Sequence, residues 1–304
     1  MKHSIALLAA ALLLSSCSSP APEAQEAPPD AISFSGEPLF SADPDSALVA
    51  RYLEKKASFD ADPDNADNII WYGRFKAYTG DYAGAIEIYS QGIELYPEDA
   101  RLYRHRGHRY ISTRRLELAI ADFEMAVDLI EGIENEIEPD GMPNASGIPV
   151  SSLHGNIWYH LGLAYYLNDD LENALRGFSE GLATSRNNDN VVSTTHWIYM
   201  INRRMGDEEA ASQALERISA DMDIIENFAY YHLTLFYRGE LTEDELTGEG
   251  AAGDAVTYGL ANWYLYNDQP DRAREIFDEL LSRDGWASFG YLAAEADYLK
   301  YFTP

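Results

Sequence analysis

The chain has 304 residues, and its 22 Lys and Arg side chains face 51 Asp and Glu side chains, which gives a net charge of −29. This acidity argues against nucleic acid as a ligand and against an electrostatic grip on anionic lipid. The chain has one cysteine, which excludes an internal disulfide and a zinc site built from several thiolates.

Residues 1–16 have the pattern of a secretory signal peptide. Lys2 supplies the positive start, and Ile5–Leu14 form an apolar core that is too short to span a bilayer. The run that ends at Cys17 resembles the cleavage site of bacterial lipoproteins, in which this cysteine becomes the lipid-modified first residue. The resemblance implies lipidation of Cys17, and Ser18 after it favours the outer membrane, with the protein facing the periplasm. A plain secreted signal peptide is the alternative.

The segment between the signal and the first repeat divides into two parts. Residues 17–44 are rich in Pro, Ala and Glu, which predicts a lipid-anchored flexible linker without a core of its own. Asp45–Phe59 then has helical spacing and reads as the second helix of an incomplete pair. Terminal units of a stacked array need such caps to cover their outermost apolar face.

From residue 66 onward, small and aromatic residues recur at a fixed interval. Gly73 and Gly107 are 34 residues apart, and so are Tyr89 and Phe123. The pattern occupies five segments, which are 66–99, 100–133, 155–188, 192–225 and 254–287, with the weakest match at 192–225. The apolar residues follow helical spacing. The interval therefore predicts helix pairs, each of which buries its apolar face by stacking on the next.

These residues resemble the tetratricopeptide repeat. The best match carries Trp158, Gly162 and Tyr165 on its first helix and Ala174 and Phe178 on its second. The resemblance implies an all-α fold, a right-handed superhelical solenoid of stacked helix pairs over residues 45–304. A closing helix is predicted at Ser288–Lys300, with Phe289, Leu292, Ala293, Ala296 and Leu299 on its inner side.

Six of the 22 Lys and Arg side chains lie within residues 101–115. These residues belong to the repeat at 100–133. In the register of the family, several residues of this repeat and of the neighbouring repeats occupy positions that line the concave peptide-binding groove. These candidate ligand- or partner-binding residues are Arg74, Arg101, Arg104, His105, His108, Asn156, Tyr159 and His160. Such a cationic, aromatic strip suits an anionic ligand. The alternative is that these Arg side chains pair with the plentiful Asp and Glu, and Arg106, at a position that usually holds Leu, is expected to pair structurally.

Residues 134–154 form an insertion between the second and third repeats. The insertion begins with acidic residues, Glu134, Glu136, Glu138 and Asp140, and continues with turn-forming residues. A connection of this length in a compact stack is either functional or a loose surface loop. We expect the insertion to fold over the groove beside the Arg cluster, where its acidic start shields the Arg face until a ligand competes.

The sequence predicts a binding protein and no enzyme, because none of the common catalytic or nucleotide-binding motifs is present. We expect no cofactor and no resident metal. Asp60–Asp67 lacks the Gly and Glu that a calcium loop needs and reads as a turn. The layout resembles that of outer-membrane adaptor lipoproteins, which implies a membrane-anchored scaffold with envelope or periplasmic protein partners. A lipoprotein that captures an anionic peptide or cell-wall fragment is the alternative.

Overall fold

A computed structural model describes residues 28–303 of the chain. The predicted signal peptide, the lipidation site Cys17 and the first part of the linker lie outside the described residues, so those predictions stay predictions. The regular secondary structure of the described part is almost all α-helix, and its helices follow each other in antiparallel pairs.

The helices have the following bounds. They are α1 Ser46–Ala61, α2 Ala66–Tyr78, α3 Tyr82–Leu95, α4 Ala100–Ser112, α5 Leu116–Leu129, α6 Leu153–Leu167, α7 Leu171–Ala183, α8 Asn188–Met205, α9 Glu208–Leu215, α10 Phe228–Tyr237, α11 Gly250–Leu265, α12 Pro270–Leu281 and α13 Phe289–Phe302. A single 3₁₀ turn lies at Glu243–Glu245, and two short antiparallel strands, β1 Ala31–Ile32 and β2 Pro38–Leu39, precede α1.

The helix pairs coincide with the predicted repeats. The pairs α2/α3, α4/α5, α6/α7, α8/α9 and α11/α12 each begin within four residues of a predicted repeat, and α1 is the predicted N-terminal cap. Most helices start at an Asp, Asn or Ser whose side chain accepts a hydrogen bond from the first turn, as Asp81 does from Gly84. The all-α superhelical solenoid is confirmed.

Glycines where paired helices cross explain the recurrence of the pattern. A Cβ atom on Gly107 would lie 2.9 Å from the ring of Phe123, and one on Gly162 would lie 2.9 Å from the ring of Phe178. Both rings are fully buried. A larger residue would push the two helices of a pair apart, so the interval of the repeat follows from this contact.

The closing helix α13 packs on α11 and α12, as the sequence predicts, and also reaches back to the beginning of the array. Its Glu295 forms a buried ion pair with Arg114 at 2.7 Å, directly after α4. Its Asp297 forms a second one with Arg204 of α8 at 2.8 Å. The last helix thus contacts the inner side of helices that lie far earlier in the sequence.

Residues 30–41 differ from the sequence-based prediction of a flexible linker. They form the β1/β2 hairpin, and the backbone N–H of Phe34 donates to Glu295. Trp286 donates its indole N–H to the carbonyl of Phe40 at 2.9 Å, and its ring packs edge-on against Tyr82 at 5.3 Å. These contacts bury backbone polar groups in hydrogen bonds, which the composition of the segment does not reveal. The hairpin joins the first repeats to the closing helix.

Candidate functional site

The predicted site residues lie on three neighbouring first helices. Arg74 is on α2, the two Arg and two His candidates are on α4, and Asn156, Tyr159 and His160 are on α6. Helix α4 packs against both α2 and α6. The structure brings these residues to one inner surface and divides them into a basic half, on α2 and α4, and a neutral half, on α6, α8 and α10.

The basic half is ion-paired within the chain. Arg101 contacts Asp99 at 2.6 Å and Asp67 at 2.8 Å. Arg104 is buried and contacts Glu138 of the insertion at 3.1 Å. Because these carboxylates already neutralise the guanidinium groups, the basic half differs from the free cationic strip that the sequence suggests.

The insertion folds over the basic half, as we expect from the sequence. Its two ends pair through a bridge between Ile137 and Ser152, and the backbone N–H of Leu153 donates to the backbone carbonyl of Glu136 at 2.9 Å. This pairing places Glu138 beside Arg104, and Arg74 donates to the carbonyl of Pro139 at 2.8 Å. A cavity of about 290 Å³ remains there, lined by Arg74, Arg101, His105 and Glu138 among others.

The histidines of the inner surface are uncharged at neutral pH. Burial lowers the pKa of His160 to about 3, with a smaller contribution from the positive charges of Arg104 and Arg109. Burial also lowers the pKa of His105 and of His108 well below the ordinary value, and neighbouring Arg side chains add to the effect. The sequence predicts these histidines as part of a cationic strip, whereas in the structure they are neutral imidazoles.

The closing helix places Phe289 on the inner surface between the two halves. Its ring lies 5.4 Å from His108 and 5.4 Å from His160, centroid to centroid, and His160 also stacks on Phe123 at 5.8 Å. The sequence marks Phe289 as an inner residue of α13. Nothing in the repeat pattern indicates that it meets α4 and α6, because that contact depends on the curvature of the whole solenoid.

The neutral half retains a cavity of about 240 Å³. Its lining includes Asn156, Tyr159 and His160 of α6, Thr194 of α8, Tyr230 of α10 and Phe289 of α13. Buried Asp189 positions the α10 side of this cavity, because its carboxylate accepts hydrogen bonds from the backbone N–H groups of residues 225, 226 and 227. Sequence reasoning missed this wall, since residues 226–253 carry no clear repeat pattern.

An apolar groove outside the inner surface was also missed. It lies where the α3–α4 turn meets the end of α5, and it has a volume of about 660 Å³. Its apolar side chains include Leu95, which is 51 % exposed, Tyr96, which is 38 % exposed, and Ile133, which is 59 % exposed. Four acidic residues also line it, namely Glu98, Asp99, Glu134 and Glu136. We call it the edge groove.

Arg106 makes the structural pairing that its position predicts. Its guanidinium donates to both carboxylate oxygens of Asp122 on α5, at 2.8 and 2.7 Å, and to Ser90 at 3.0 Å. The Asp60–Asp67 segment contains the turn between α1 and α2. Within residues 28–303, no three His, Cys, Asp or Glu side chains lie close enough to hold a metal ion. In that same part of the chain, no helix has the length and apolar character needed to cross a membrane.

Comparison with known families and structures agrees with the repeat register. Residues 73–132 match the family model described as tetratricopeptide repeat. Among curated proteins, none has a significant match to this chain. The chain contains tetratricopeptide repeats, and its fold is the superhelix that these repeats form.

Several solved structures have a similar arrangement of helices. YrrB, described as a tetratricopeptide repeat protein with an unusual peptide-binding site, is 16 % identical, with 81 % of this chain and 98 % of that chain covered and a TM-score of 0.42. BtubC from P. vanneervenii is 16 % identical, with 78 % and 88 % covered and a TM-score of 0.45. MamA from Desulfovibrio magneticus RS-1 is 16 % identical, with 56 % and 82 % covered and a TM-score of 0.43. At these identities and scores, the similarity carries no functional argument.

Proposed function

We propose that this tetratricopeptide repeat protein is a membrane-anchored scaffold that binds other proteins in the bacterial envelope. Stacked helix pairs present extended surfaces to other chains, and a helical repeat scaffold is generally not catalytic. The observation that carries the proposal is the edge groove, an apolar surface that residues 28–303 leave uncovered. Exposed apolar patches bounded by polar residues are typical of protein interaction sites.

The chemistry of the edge groove defines the partner. Leu95, Tyr96 and Ile133 provide apolar contact, and the four carboxylates that line the groove repel an acidic partner. Arg101 is the basic residue that lines the edge groove, and its side chain is already paired with Asp99. We therefore expect a periplasmic or envelope protein that inserts a large apolar side chain flanked by Lys or Arg.

The anchor belongs to the same proposal. The sequence around Cys17 supports lipidation, and Ser18 favours the outer membrane with the repeats facing the periplasm. The layout is similar to that of the outer-membrane adaptor called new lipoprotein I, which combines a lipidated N-terminus, a repeat array and a closing helix. Two or more acyl chains on Cys17 would hold the protein stably at a membrane.

Affinity capture tests the groove. A soluble form beginning at Ser18 is used as bait, and a partner bound by the native surface is then titrated against Ile133→Gln. Loss of one buried apolar contact predicts binding weaker by about tenfold. Leu118→Gln is the matched control, because Leu118 is 43 % exposed on α5 and does not line the groove. Equal affinities of both variants and the unmodified protein would show that the partner binds elsewhere.

Membrane fractionation tests the anchor. The full chain is expected in the outer-membrane fraction, labelled by a radioactive fatty acid, and Cys17→Ala is expected to lose the label. If Cys17→Ala remains labelled, or if the full chain is recovered unlabelled in the periplasm, the anchor is wrong and the plain signal peptide is correct. The groove experiment is unaffected by either result, since it uses the soluble form.

A second candidate function is capture of an anionic peptide at Arg104, and one observation favours it. Burial lowers the pKa of Arg104, the charge of Glu138 opposes the effect, and the Nε of Arg104 lies buried without a partner among the described residues. An anionic ligand that displaced Glu138 could satisfy this group. Glu138→Gln should then bind a hexaglutamate peptide more tightly than the unmodified protein.

The matched control for this candidate is Glu134→Gln. Glu134 belongs to the same insertion, is exposed and carries the same charge, and it does not line the cavity beside Arg104. If both variants change the affinity for hexaglutamate equally, the gain reflects net charge alone and the capture function is wrong. If only Glu138→Gln gains affinity, the Arg104 site is a ligand site that the insertion covers.

A further inference from the structure

The cavity in the neutral half has the features of a small-molecule site that the scaffold function does not use. It is lined by Ser151 and Ser152 of the insertion, by residues of helices α6, α8 and α10, and by Phe289 of the closing helix. At about 240 Å³ it is smaller than the cavities of about 300–1,000 Å³ that hold drug-sized ligands. A volume of this size suits a single ring better than a long peptide segment.

The hydrogen-bonding state of His160 makes it an acceptor for a ligand. Its Nδ1 lies 2.6 Å from the carbonyl oxygen of Asn156, which can only accept, so Nδ1 carries the proton. Because the pKa of His160 is lowered to about 3, the ring is neutral and Nε2 keeps its lone pair. That lone pair is without a protein donor among the described residues. The histidine therefore presents a fixed acceptor on a ring that lines the cavity.

Thr194 and Tyr230 add hydroxyl groups to the same cavity. Thr194 is only 3 % exposed and lines the cavity, and its side chain makes no hydrogen bond within residues 28–303. Trp197 donates to the hydroxyl of Tyr159 at 2.7 Å, and Tyr159 in turn donates to that of Tyr230 at 3.3 Å. The proton of Tyr230 at the end of this chain is left for a ligand. Both hydroxyl groups line the cavity, where a ligand hydroxyl can take the place of water as their hydrogen-bond partner.

The charge of the lining favours a neutral ligand. Glu226 carries the one carboxylate among the lining residues, and it accepts a hydrogen bond from Asn144 at 2.7 Å. No Lys or Arg is among those lining residues, so an anion would find no counter-charge. Tyr159, Tyr230 and Phe289 offer aromatic surfaces for an apolar face. The ligand therefore needs many hydroxyl groups, no negative charge and one apolar face.

From this lining, we propose that the cavity binds one neutral pyranose ring of a sugar. Ring hydroxyls would donate to His160 and Glu226 and would bond with Thr194 and Tyr230, while the C–H face of the ring lies on the aromatic side chains. This site shares no lining residue with the edge groove, so it is independent of the partner surface. It also differs from the predicted anionic ligand, because the sugar is neutral and no Lys or Arg lines this cavity.

Titration with defined sugars tests this proposal. Methyl α-D-glucopyranoside and N-acetylglucosamine are titrated into the soluble chain, and binding is followed by saturation-transfer NMR. A ligand of this size predicts a dissociation constant in the millimolar range. Thr194→Val removes one hydroxyl and should weaken binding about three- to tenfold. Tyr230→Phe should have a similar effect, and it keeps the aromatic ring.

Thr195→Val is the matched control. Thr195 is the next residue of α8, its hydroxyl is also buried without a partner among the described residues, and it does not line the cavity. Its substitution should leave sugar affinity unchanged, and thermal unfolding by circular dichroism verifies that each variant folds. Absence of saturation by either sugar at tens of millimolar would overturn the proposal. Equal binding by Thr194→Val, or tighter binding of glucuronate than of the glucoside, would also overturn it.

Discussion

The two halves of the inner surface differ in how their polar side chains are paired. The basic half on α2 and α4 carries Arg101 and Arg104, and the chain supplies Asp67, Asp99 and Glu138 to pair with them. The neutral half on α6, α8 and α10 carries Asn, Ser, Thr, His and Tyr, and it keeps a cavity. The charges of Arg101 and Arg104 are thus paired within the chain, although the Nε of Arg104 has no partner among the described residues, whereas the neutral half keeps uncharged groups around its cavity.

The difference follows from the cost of burial. An unpaired ion in a low-dielectric interior costs far more free energy than an unpaired hydroxyl. Burial of Arg104 beneath the insertion is therefore possible because Glu138 pairs with it. Neutral groups such as Thr194 tolerate water in place of a partner. Positive charge in a repeat groove is thus a poor guide to ligand binding when an acidic insertion lies next in the sequence.

The closing helix links the two halves, and breaking its main ion pair gives the largest expected effect. Arg114 and Glu295 have side-chain exposures of 4 % and 8 %. Glu295→Ala leaves Arg114 buried without its carboxylate, which should lower the free energy of unfolding by about 3–5 kcal/mol. Urea unfolding followed by circular dichroism measures this. The variant should also expose Phe34 and Trp286 to solvent, which a fluorescence shift of Trp286 would report.

An exposed ion pair of the same chemistry is the control for this prediction. Arg272 and Glu275 of α12 lie 2.9 Å apart with side-chain exposures of 48 % and 69 %. Glu275→Ala should change the free energy of unfolding by less than about 1 kcal/mol. If both variants lose equally little, the closing helix is not held by Glu295, and the two halves do not depend on it.

The repeat register could be predicted because contacts within one helix pair fix it. The contacts between the closing helix and the earlier repeats could not be predicted. Gly107 and Phe123 meet within one helix pair, so their spacing in the sequence reveals the contact. Arg114 and Glu295 are 181 residues apart, and their pairing depends on the accumulated curvature of every repeat between them. The same holds for Phe289 at the inner surface. Sequence reasoning therefore located the Arg cluster and the insertion but missed what the closing helix and the β1/β2 hairpin add.

Two glycines of α7 in the neutral half differ in how closely other atoms approach them. A Cβ atom on Gly177 would lie 2.7 Å from the backbone nitrogen of Gly162, whereas one on Gly181 would lie 3.5 Å from the nearest atom, in Trp158. Gly177→Ala should cost about 1–3 kcal/mol, since backbone must move. Gly181→Ala should stabilise the helix by up to about 1 kcal/mol. Thermal unfolding compares them, and equal effects would contradict the close α6/α7 crossing.

Acidification should weaken the fold through the buried histidines. The pKa of His160 and that of His196 are both lowered to about 3 by burial, so the unfolded chain binds their protons first as the pH falls below about 6.5. Stability is therefore present above pH 6.5 and is lost toward pH 3, by at most about 1.4 kcal/mol per pH unit for each histidine. Urea unfolding between pH 7.5 and about pH 4.5 measures the slope.

His160→Gln removes one of these titrating groups from the boundary between the two halves. Its unfolding free energy should depend less steeply on pH than that of the unmodified protein, although it starts lower at neutral pH. Changes in net charge affect both proteins alike, so the difference between the slopes isolates the histidine. Identical slopes would mean that burial does not lower the pKa of His160 in the folded state.

The smallest effect is expected at Arg101, where the basic half meets solvent. Its side chain is 40 % exposed, and its partner Asp67 is 69 % exposed, so water and salt screen the pair. Arg101→Ala should lower the free energy of unfolding by at most about 1 kcal/mol, and the loss should shrink further in high salt. A double-mutant cycle with Asp67→Ala measures the coupling. A coupling free energy as large as the loss of unfolding free energy in Glu295→Ala would mean that solvent exposure does not weaken the Arg101–Asp67 pair relative to the Arg114–Glu295 pair. Burial beneath the insertion and the closing helix would then fail to explain why the ion pairs of Arg104 and Arg114 differ from that of Arg101.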